Sequence, residues 1–108
     1  MSGPVTVICT FRVKEDRLDD FLALRPEHHA ALRRHELITD TPTSTYLGEE
    51  QAGPGPVVVD IFEWVDEEAS SRAHGLVDVG GLWEQMMPMC EDRHGMPSMN
   101  FPHFQPVV

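Results

Sequence analysis

Chemistry in this chain would depend on its histidines and on one carboxylate in an apolar setting. His74 comes directly before a glycine at which a helix is expected to end, so it is either a C-terminal cap or a general base. Asp60 lies in the middle of the apolar run at 57–64, where burial without a partner would raise its pKa and suit it to act as a base. The favoured interpretation is an ion pair with Arg12 or Arg72, because buried charges are generally paired.

A second polar group surrounds Pro26 in a helical segment. Stepping about 100° per residue puts His29 on the apolar face of the helix and His28 on its flank, so at least one of them faces inward. A buried histidine is either structural or handles a proton or a substrate. Arg25 lies on the same face if the helix is regular, where it would bind an acidic or enolate group. The favoured interpretation is that Pro26 rotates Arg25 towards solvent.

Four large apolar side chains suit a pocket for a flat aromatic ligand. Trp64 and Trp83 offer broad ring faces with one N–H donor each, and Phe62 and Met86 would complete the enclosure. Core packing is the default alternative, because such rings are mostly buried wherever they occur.

Soft metal ligands are concentrated in the last quarter of the chain. They are Met86, Met87, Met89, Cys90, His94, Met96, Met99 and His103. Thioethers and a thiol suit Cu(I), but no pair has a recognised ligand spacing, and methionine also fills irregular cores. We therefore expect no metal site. The sequence also has no GxSxG, phosphate-binding glycine motif or zinc-finger spacing.

Hydrophobic periodicity predicts the elements that must position these residues. In chain order they are a strand at 5–13, a helical pattern from 14 to 37, a loop at 39–43, a strand at 44–49, a turn at 51–56, a strand at 57–64, a helix at 66–75, a second helical piece at 82–93 and an edge strand at 98–108. This order, β, α, β, β, α, β, is that of the α+β, ferredoxin-like split βαβ unit, an antiparallel sheet with helices on one face.

Proline and glycine set the expected interruptions. Pro26 predicts a kink or break near Arg25, and Pro88 predicts a kink in the last helical piece. Gly75 suits a left-handed helix cap, and the glycine pair at 80–81 would separate the two helical pieces.

The third strand is apolar on both faces. Its side chains alternate between Val57, Val59 and Ile61 on one face and Val58, Phe62 and Trp64 on the other. A sheet covered by helices on one side only should have a polar second face, so something else must cover it. A homodimer that packs the sheets face to face is the simplest candidate.

Composition limits the class of protein. The 108 residues, 1–108, form one domain with a formal charge of −10 and a pI near 4.8, which argues against nucleic acid and anionic membranes as partners. No secretory leader and no apolar stretch of about 20 residues is present, so a cytoplasmic protein is expected. Cys9 and Cys90 match no CxxC spacing and are expected to be free thiols.

Loose motifs accompany this order of elements. They are Ile61-Phe62-Glu63-Trp64, Asp66-Glu67-Glu68-Ala69, Ala73-His74 and Leu82-Trp83-Glu84. Together they resemble the dimeric α/β-barrel superfamily, and within it the antibiotic biosynthesis monooxygenase-like proteins. The resemblance implies a pocket between the sheet and its covering helices. Members include cofactor-free oxygenases of polycyclic phenols, quinol oxygenases, polyketide cyclases and haem-degrading enzymes. The haem-degrading branch resembles this chain least, because the strand at 5–13 lacks the Asn that this branch uses.

The resemblance leads to one functional hypothesis and two alternatives. In the first, an enzyme without a bound cofactor uses His74, or else His29 or Asp60, to remove a phenolic proton from an aromatic or polyketide-like substrate, and the resulting carbanion reacts with O2. The residues that would bind that substrate are His28, Arg25, Phe62, Trp64, Trp83 and Met86. The alternatives are cyclisation or isomerisation without O2, and a non-catalytic dimeric protein that binds a ligand.

Overall fold

Five strands form one antiparallel sheet in the computed structural model, which describes residues 3–107. The strands are β1 (Val5–Arg12), β2 (Ser44–Glu50), β3 (Gly53–Trp64), β4 (Met99–Asn100) and β5 (His103–Phe104). The helices are α1 (Leu18–Arg34), α2 (Ala69–His74) and α3 (Val77–Met86), with 3-10 turns at Glu15–Arg17 and Met87–Met89. The strand order is β2-β3-β1-β4, and β5 also pairs with β1. This arrangement confirms the predicted α+β, ferredoxin-like fold.

The centre of the sheet is the pair β1 and β3. Their register begins with Val5 opposite Trp64 and places Cys9 opposite Asp60. Every second residue of β1 from Val5 to Phe11 is buried, because residues two apart share a face and this face packs against the helices. Each fully buried aliphatic or aromatic side chain contributes about 1.5–3 kcal/mol to folding.

Helix α1 continues through Pro26, so the predicted break near Arg25 is wrong. Acidic residues in its first turn and Arg33 and Arg34 in its last turn complement the helix dipole. The inward face, which includes Phe21, is fully buried and holds the helix together across the missing backbone donor. Because the helix keeps its phase, Arg25 faces inward and is only 3% exposed, which corrects the expectation that it turns to solvent.

The expected turn at 51–56 is wrong for its last four residues, since β3 begins at Gly53. Gly55 has a φ of +125°, and a Cβ there would overlap with the guanidinium of Arg93. A Cβ on Gly53 would likewise overlap with the ring of His94. Glycine therefore lets the strand pass beneath two long side chains. The β2–β3 ladder is irregular beside this stretch, which accommodates prolines that cannot donate.

Helix α2 is shorter than predicted. It begins at Ala69, and the carboxylate of Asp66 instead accepts a hydrogen bond from the Glu68 backbone N–H at 2.9 Å in the turn before it. The helix ends before Gly75, as expected. Gly75 has a φ of −86°, however, so the predicted left-handed cap is not formed.

Helix α3 contains the glycine pair at 80–81 that was expected to separate two helical pieces. The helix tolerates the glycines because it buries an apolar face that includes Met86. It ends at Met86 rather than near residue 93. Pro88 terminates it instead of kinking it, since Met87–Met89 form a 3-10 turn followed by extended Cys90.

The C-terminal segment forms the short strands β4 and β5, which pair with β1 at the edge of the sheet, where the prolines placed them. Val108, the predicted end of this strand, lies outside the described residues. The sheet face opposite the helices carries Ile8, Tyr46, Val59, Ile61 and Phe104. Tyr46 is 59% and Phe104 is 48% exposed, so this face presents apolar surface to solvent.

Both cysteines are buried and free, as predicted. Cys9 lies in the middle of β1, whereas Cys90 pairs with Val13 beyond the end of that strand. In the described part of the chain, no helix has both the length and the apolar character needed to cross a membrane.

Candidate functional site

A cavity of about 110 Å³ lies between the sheet and the helices, with α2 and α3 as its cover. Its wall consists of Val7, Cys9, Phe11, His28, Leu32, Phe62, Trp64, Ser70, Ala73, His74, Val79, Gly80, Trp83, Phe101 and His103. Most of these side chains are aromatic or aliphatic, and the polar ones are chiefly imidazoles. A concave apolar site with few polar groups is the usual form of a small-molecule site.

Simple periodicity explains how these residues meet. Phe62 and Trp64 are two apart on β3 and therefore share the helix-facing side of the sheet. Val79 and Trp83 are four apart on α3 and share one helix face. His74 is the last residue of α2, the position predicted for it.

Ion pairs and hydrogen bonds connect helix α3 to the C-terminal end of α1. Arg34 Nη2 donates to Asp78 Oδ2 at 2.7 Å, and His35 Nε2 lies 2.9 Å from both oxygens of the same carboxylate. Arg34 first, and then His35, hold the pKa of Asp78 well below its usual range, so the carboxylate is ionised. These exposed contacts position the helix that carries Trp83.

Trp83 brings two histidines to one part of the cavity. The His28 ring lies nearly parallel to the Trp83 ring, with 6.4 Å between centroids and 14° between planes. The His74 ring meets Trp83 edge-on at 6.1 Å and 69°. Phe101 packs on the same indole at 5.2 Å.

Two residues that line the cavity each have a buried nitrogen without a partner. His28 Nδ1 and Trp64 Nε1 have no hydrogen-bond partner among residues 3–107, and their side chains are 8% and 7% exposed. Burial, followed by the nearby charges of Arg25 and His29, lowers the pKa of His28 to about 3. His28 is therefore a neutral imidazole at physiological pH, with one donor and one acceptor nitrogen.

Cys9 also lines the cavity but is not a nucleophile in this setting. Burial, with Asp60 adding to it, raises the pKa of the Cys9 thiol far above its usual range, so the thiol stays protonated. Cys9 is not among the site residues predicted from the sequence. The alternation that puts it on the same face as Val7 and Phe11 was the available signal.

A buried polar cluster lies beside the cavity. It is centred on Asp60, which is 0% exposed. His29 Nε2 donates to Asp60 Oδ2 at 2.6 Å, Arg25 Nη1 donates to the same oxygen at 3.3 Å, and Thr45 Oγ1 donates to Oδ1 at 2.6 Å. Arg25 Nη2 also lies 2.7 Å from Met86 Sδ.

The charges of this cluster balance. Burial alone would raise the pKa of Asp60, but the hydrogen bonds from His29 and Thr45 and the charge of Arg25 outweigh it, so the pKa is lowered. Asp60 is thus an anion beside the cationic Arg25. The Arg25 guanidinium lies over the rings of Phe11 and Phe21 at 4.9 and 4.7 Å, while its buried Nε has no partner among the described residues.

The predicted pairing of Asp60 with Arg12 or Arg72 is wrong. Arg12 points to the other face of the sheet, where it makes a two-pronged ion pair with Glu50 at 2.7 and 2.8 Å. Arg72 pairs with Asp66 at 3.0 Å on the surface. The register that sets Asp60 opposite Cys9 turns its carboxylate towards α1 instead, within reach of Arg25 and His29.

The structure divides the predicted site residues into two groups. His74, His28, Trp64, Trp83 and Phe62 lie together on the cavity wall. His29, Asp60, Arg25 and Met86 form the adjoining polar cluster. The wall residues that were not predicted for the ligand site are mostly small or aliphatic, and those on α2 and α3 are identified only by the packing of these helices on the sheet.

The soft metal ligands of the C-terminal segment are dispersed. Met86 contacts Arg25, His103 lines the cavity, and His94 lies 3.3 Å from the Pro54 carbonyl oxygen. Across residues 3–107, no group of three or more His, Cys, Asp or Glu side chains is placed to hold a metal ion.

Comparison with known proteins reveals the fold but no relative close in sequence. No family model matches the chain, and no curated protein matches its sequence. SnoaB from Streptomyces nogalater, a cofactor-independent oxygenase, superposes with a TM-score of 0.68 at 16% identity, over 98% of this chain and 95% of SnoaB. Rv0793 from Mycobacterium tuberculosis gives 0.68 at 18% identity, over 98% and 97%. A structure described as an antibiotic biosynthesis monooxygenase gives 0.69 at 20% identity, over 96% and 99%.

Likeness at these identities establishes the fold and leaves the reaction open. The chain has the fold of antibiotic biosynthesis monooxygenase-like proteins, which confirms at that level the resemblance indicated by its sequence motifs.

Proposed function

We propose that this protein is a small enzyme that oxygenates an aromatic or polyketide-like molecule in the cavity and uses no bound cofactor. The observation that carries the proposal is the cavity, a mainly apolar site whose wall holds His74 and neutral His28 beside the same indole. Such a site limits competing reactions with water. SnoaB, which has the same fold, is described as a cofactor-independent oxygenase, and this supports the activity class.

His74 is the proposed base. It lines the cavity and is also exposed, so a proton taken from a bound phenol can pass on to solvent. The resulting carbanion bonds to O2, and loss of water from the peroxide leaves a carbonyl. One oxygen atom thus ends in the product and the other in water. O2 is the oxidant, and the carbon that is oxidised is the CH2 carbon in the keto tautomer of the phenol.

His29 and Asp60 are proposed to position the site rather than to touch the substrate. Their side chains hydrogen-bond each other in the polar cluster, off the cavity wall. The Asp60 contacts with His29 and Arg25 fix α1 against β3, and α1 carries His28. Met86 supports the same arrangement through Arg25.

Oxygen uptake tests the proposed activity. Purified protein freed of metal and flavin is mixed with methylhydroquinone, menadiol and dithranol, which have one, two and three rings. We expect catalysed turnover of at least one of them above its spontaneous oxidation. His74→Ala should lower kcat/KM by roughly 10²- to 10⁴-fold, the usual contribution of a general base. His94→Ala, a matched change outside the cavity, should leave it unchanged.

Two results would contradict this assignment. Full activity in His74→Ala would remove the proposed base. Binding of these compounds without any oxygen uptake would favour the alternative functions, namely a ligand-binding accessory protein or a cyclase or isomerase that needs no O2.

The apolar outer face of the sheet supports a homodimer. Ile8, Val59 and Ile61 are only half-buried, and Tyr46 and Phe104 on the same face are exposed. We infer that a second copy packs on this face, since large exposed apolar patches generally mark interfaces. The helices would then lie outside two facing sheets.

Native mass spectrometry checks the dimer. Wild type should be dimeric at micromolar concentration, and Tyr46→Lys should shift it towards monomer by placing two charges in the interface. Glu36→Lys, a charge change outside the sheet, is the control. A monomeric wild type would overturn the inference.

The two buried free thiols fit a reducing compartment. We therefore propose that the enzyme works in the cytoplasm. Fractionation of cells that express the untagged protein tests this location, and recovery from outside the cytoplasm would contradict it.

A further inference from the structure

The cavity is small for a polycyclic ligand. Its volume is about 110 Å³. An engineered protein cavity of about 150 Å³ binds one benzene molecule, and sites for drug-sized ligands usually span about 300–1,000 Å³. The space between the sheet and α2–α3 therefore matches one ring.

The cavity wall offers little compensation for a charged ligand. Among its lining residues there is no Asp, Glu, Lys or Arg, and its titratable groups are Cys9, His28, His74 and His103. The buried ions of the adjoining polar cluster, Arg25 and Asp60, pair with each other. Moving a charged ligand out of water would be poorly offset here, so the site favours a neutral one.

The two unpartnered nitrogens indicate what polar groups the ligand should carry. Trp64 Nε1 can only donate, so it requires an acceptor oxygen. The neutral His28 ring, with Nδ1 unpaired, can complement a hydroxyl group. A buried donor without an acceptor is unfavourable, and a ligand oxygen would relieve this.

Gly80 sets one boundary of the space. It lines the cavity, and a Cβ added there would meet no atom within 4 Å. Gly81, next in the same helix, also has open space beside it but does not line the cavity. The pair provides a matched test in which only one position reduces the cavity.

We propose that the cavity selects a neutral single-ring aromatic compound bearing hydroxyl or carbonyl oxygens, a monocyclic phenol or quinol, with Trp64 and His28 as its polar contacts and Gly80 as the limit on its size. As the substrate class of the enzyme, this rests on the proposed function. Binding itself can be measured without turnover.

Anaerobic titration calorimetry tests the size and the charge of the ligand. Methylhydroquinone should bind at least about tenfold more tightly than the three-ring dithranol, and tighter than toluene, which lacks the oxygens. Benzoate, a charged single ring, should bind weakest. Equal or tighter binding of dithranol or benzoate would overturn the proposal.

Variants test the assigned contacts. Gly80→Leu should weaken methylhydroquinone binding by about tenfold or more. Gly81→Leu should change this binding by less than about twofold, although it introduces the same residue with the same helix propensity. Trp64→Phe should weaken methylhydroquinone but not toluene, because only the former uses the indole N–H. Thermal unfolding of both leucine variants confirms that each is folded.

The outcomes separate the two proposals. Binding as expected without oxygen uptake contradicts the proposed enzyme and leaves the ligand class intact. Rapid oxidation of dithranol with weak methylhydroquinone binding overturns the ligand class and leaves the oxygenase intact. Unchanged binding in Gly80→Leu would also overturn the assigned size limit.

Discussion

The cavity and the buried polar cluster adjoin each other on the helix side of the sheet, but their polar groups differ in how completely they are paired. In the cluster both oxygens of Asp60 accept hydrogen bonds, from His29, Arg25 and Thr45, and Arg25 Nε alone lacks a partner among the described residues. Of the residues that line the cavity, His28 and Trp64 each have a buried nitrogen without a partner in the same part of the chain.

Under the proposed function, the difference separates polar groups that hold the fold together from polar groups that would bind the ligand. A buried ion with its hydrogen bonds made stabilises one arrangement of α1 on the sheet. Unpaired donors and acceptors in an apolar wall cost stability, and a ligand that pairs with them would offset that cost. Residue type alone does not reveal this, since His28 and His29 are neighbours in sequence and fall on opposite sides of the division.

The largest effect on stability should follow from removing the carboxylate at the centre of the polar cluster. Asp60→Ala leaves Arg25 and His29 buried without their anion, so the free energy of unfolding should fall by about 3–5 kcal/mol. Urea unfolding at pH 7 measures it. Asp66→Ala removes an exposed partner of Arg72 and should have a much smaller effect. A similar loss in both variants would show that the cluster is not structurally special.

An intermediate effect should appear as a pH dependence of stability on the cavity side. His28 has a pKa of about 3 when folded and near 6.5 when unfolded, so the unfolded chain binds more protons between these values. Stability should therefore fall as pH drops from about 6.5 towards 3, by at most about 1.4 kcal/mol per pH unit. His28→Gln should reduce this slope in urea titrations at pH 7, 6 and 5. Parallel curves would contradict the burial of a neutral His28.

The smallest expected effect on stability comes from two alanine substitutions in α3 that should differ in ligand binding. Gly80→Ala and Gly81→Ala should each raise the free energy of unfolding by about 0.5–1 kcal/mol, because alanine is a better helix former and both sites have open space. Only Gly80→Ala should also alter ligand affinity. Destabilisation by either alanine in thermal unfolding would mean that the space beside that glycine is not free.

Local patterns predicted much of the fold correctly. Alternation located β1, the polar loop at 39–43 located the start of β2, and proline content identified the C-terminal edge strands. The inward direction of the histidines near Pro26 followed from helical spacing, and both are buried. Proline and glycine were less reliable signals of helix ends, because Pro26 lies inside α1 and the glycine pair at 80–81 lies inside α3. Apolar packing along each helix outweighs the local penalty of a few kcal/mol that these residues impose.

The sequence by itself determined the order of elements, the ferredoxin-like class and the apolar character of both sheet faces, because these depend on periodicities within single elements, of which the longest, α1, has 17 residues. Only the tertiary structure decided which charges pair and which histidine meets the cavity. Asp60 is 31 and 35 positions from His29 and Arg25. Their contact depends on the strand register that sets Asp60 opposite Cys9 and on the helix phase carried through Pro26, and neither is encoded in any short stretch of chain.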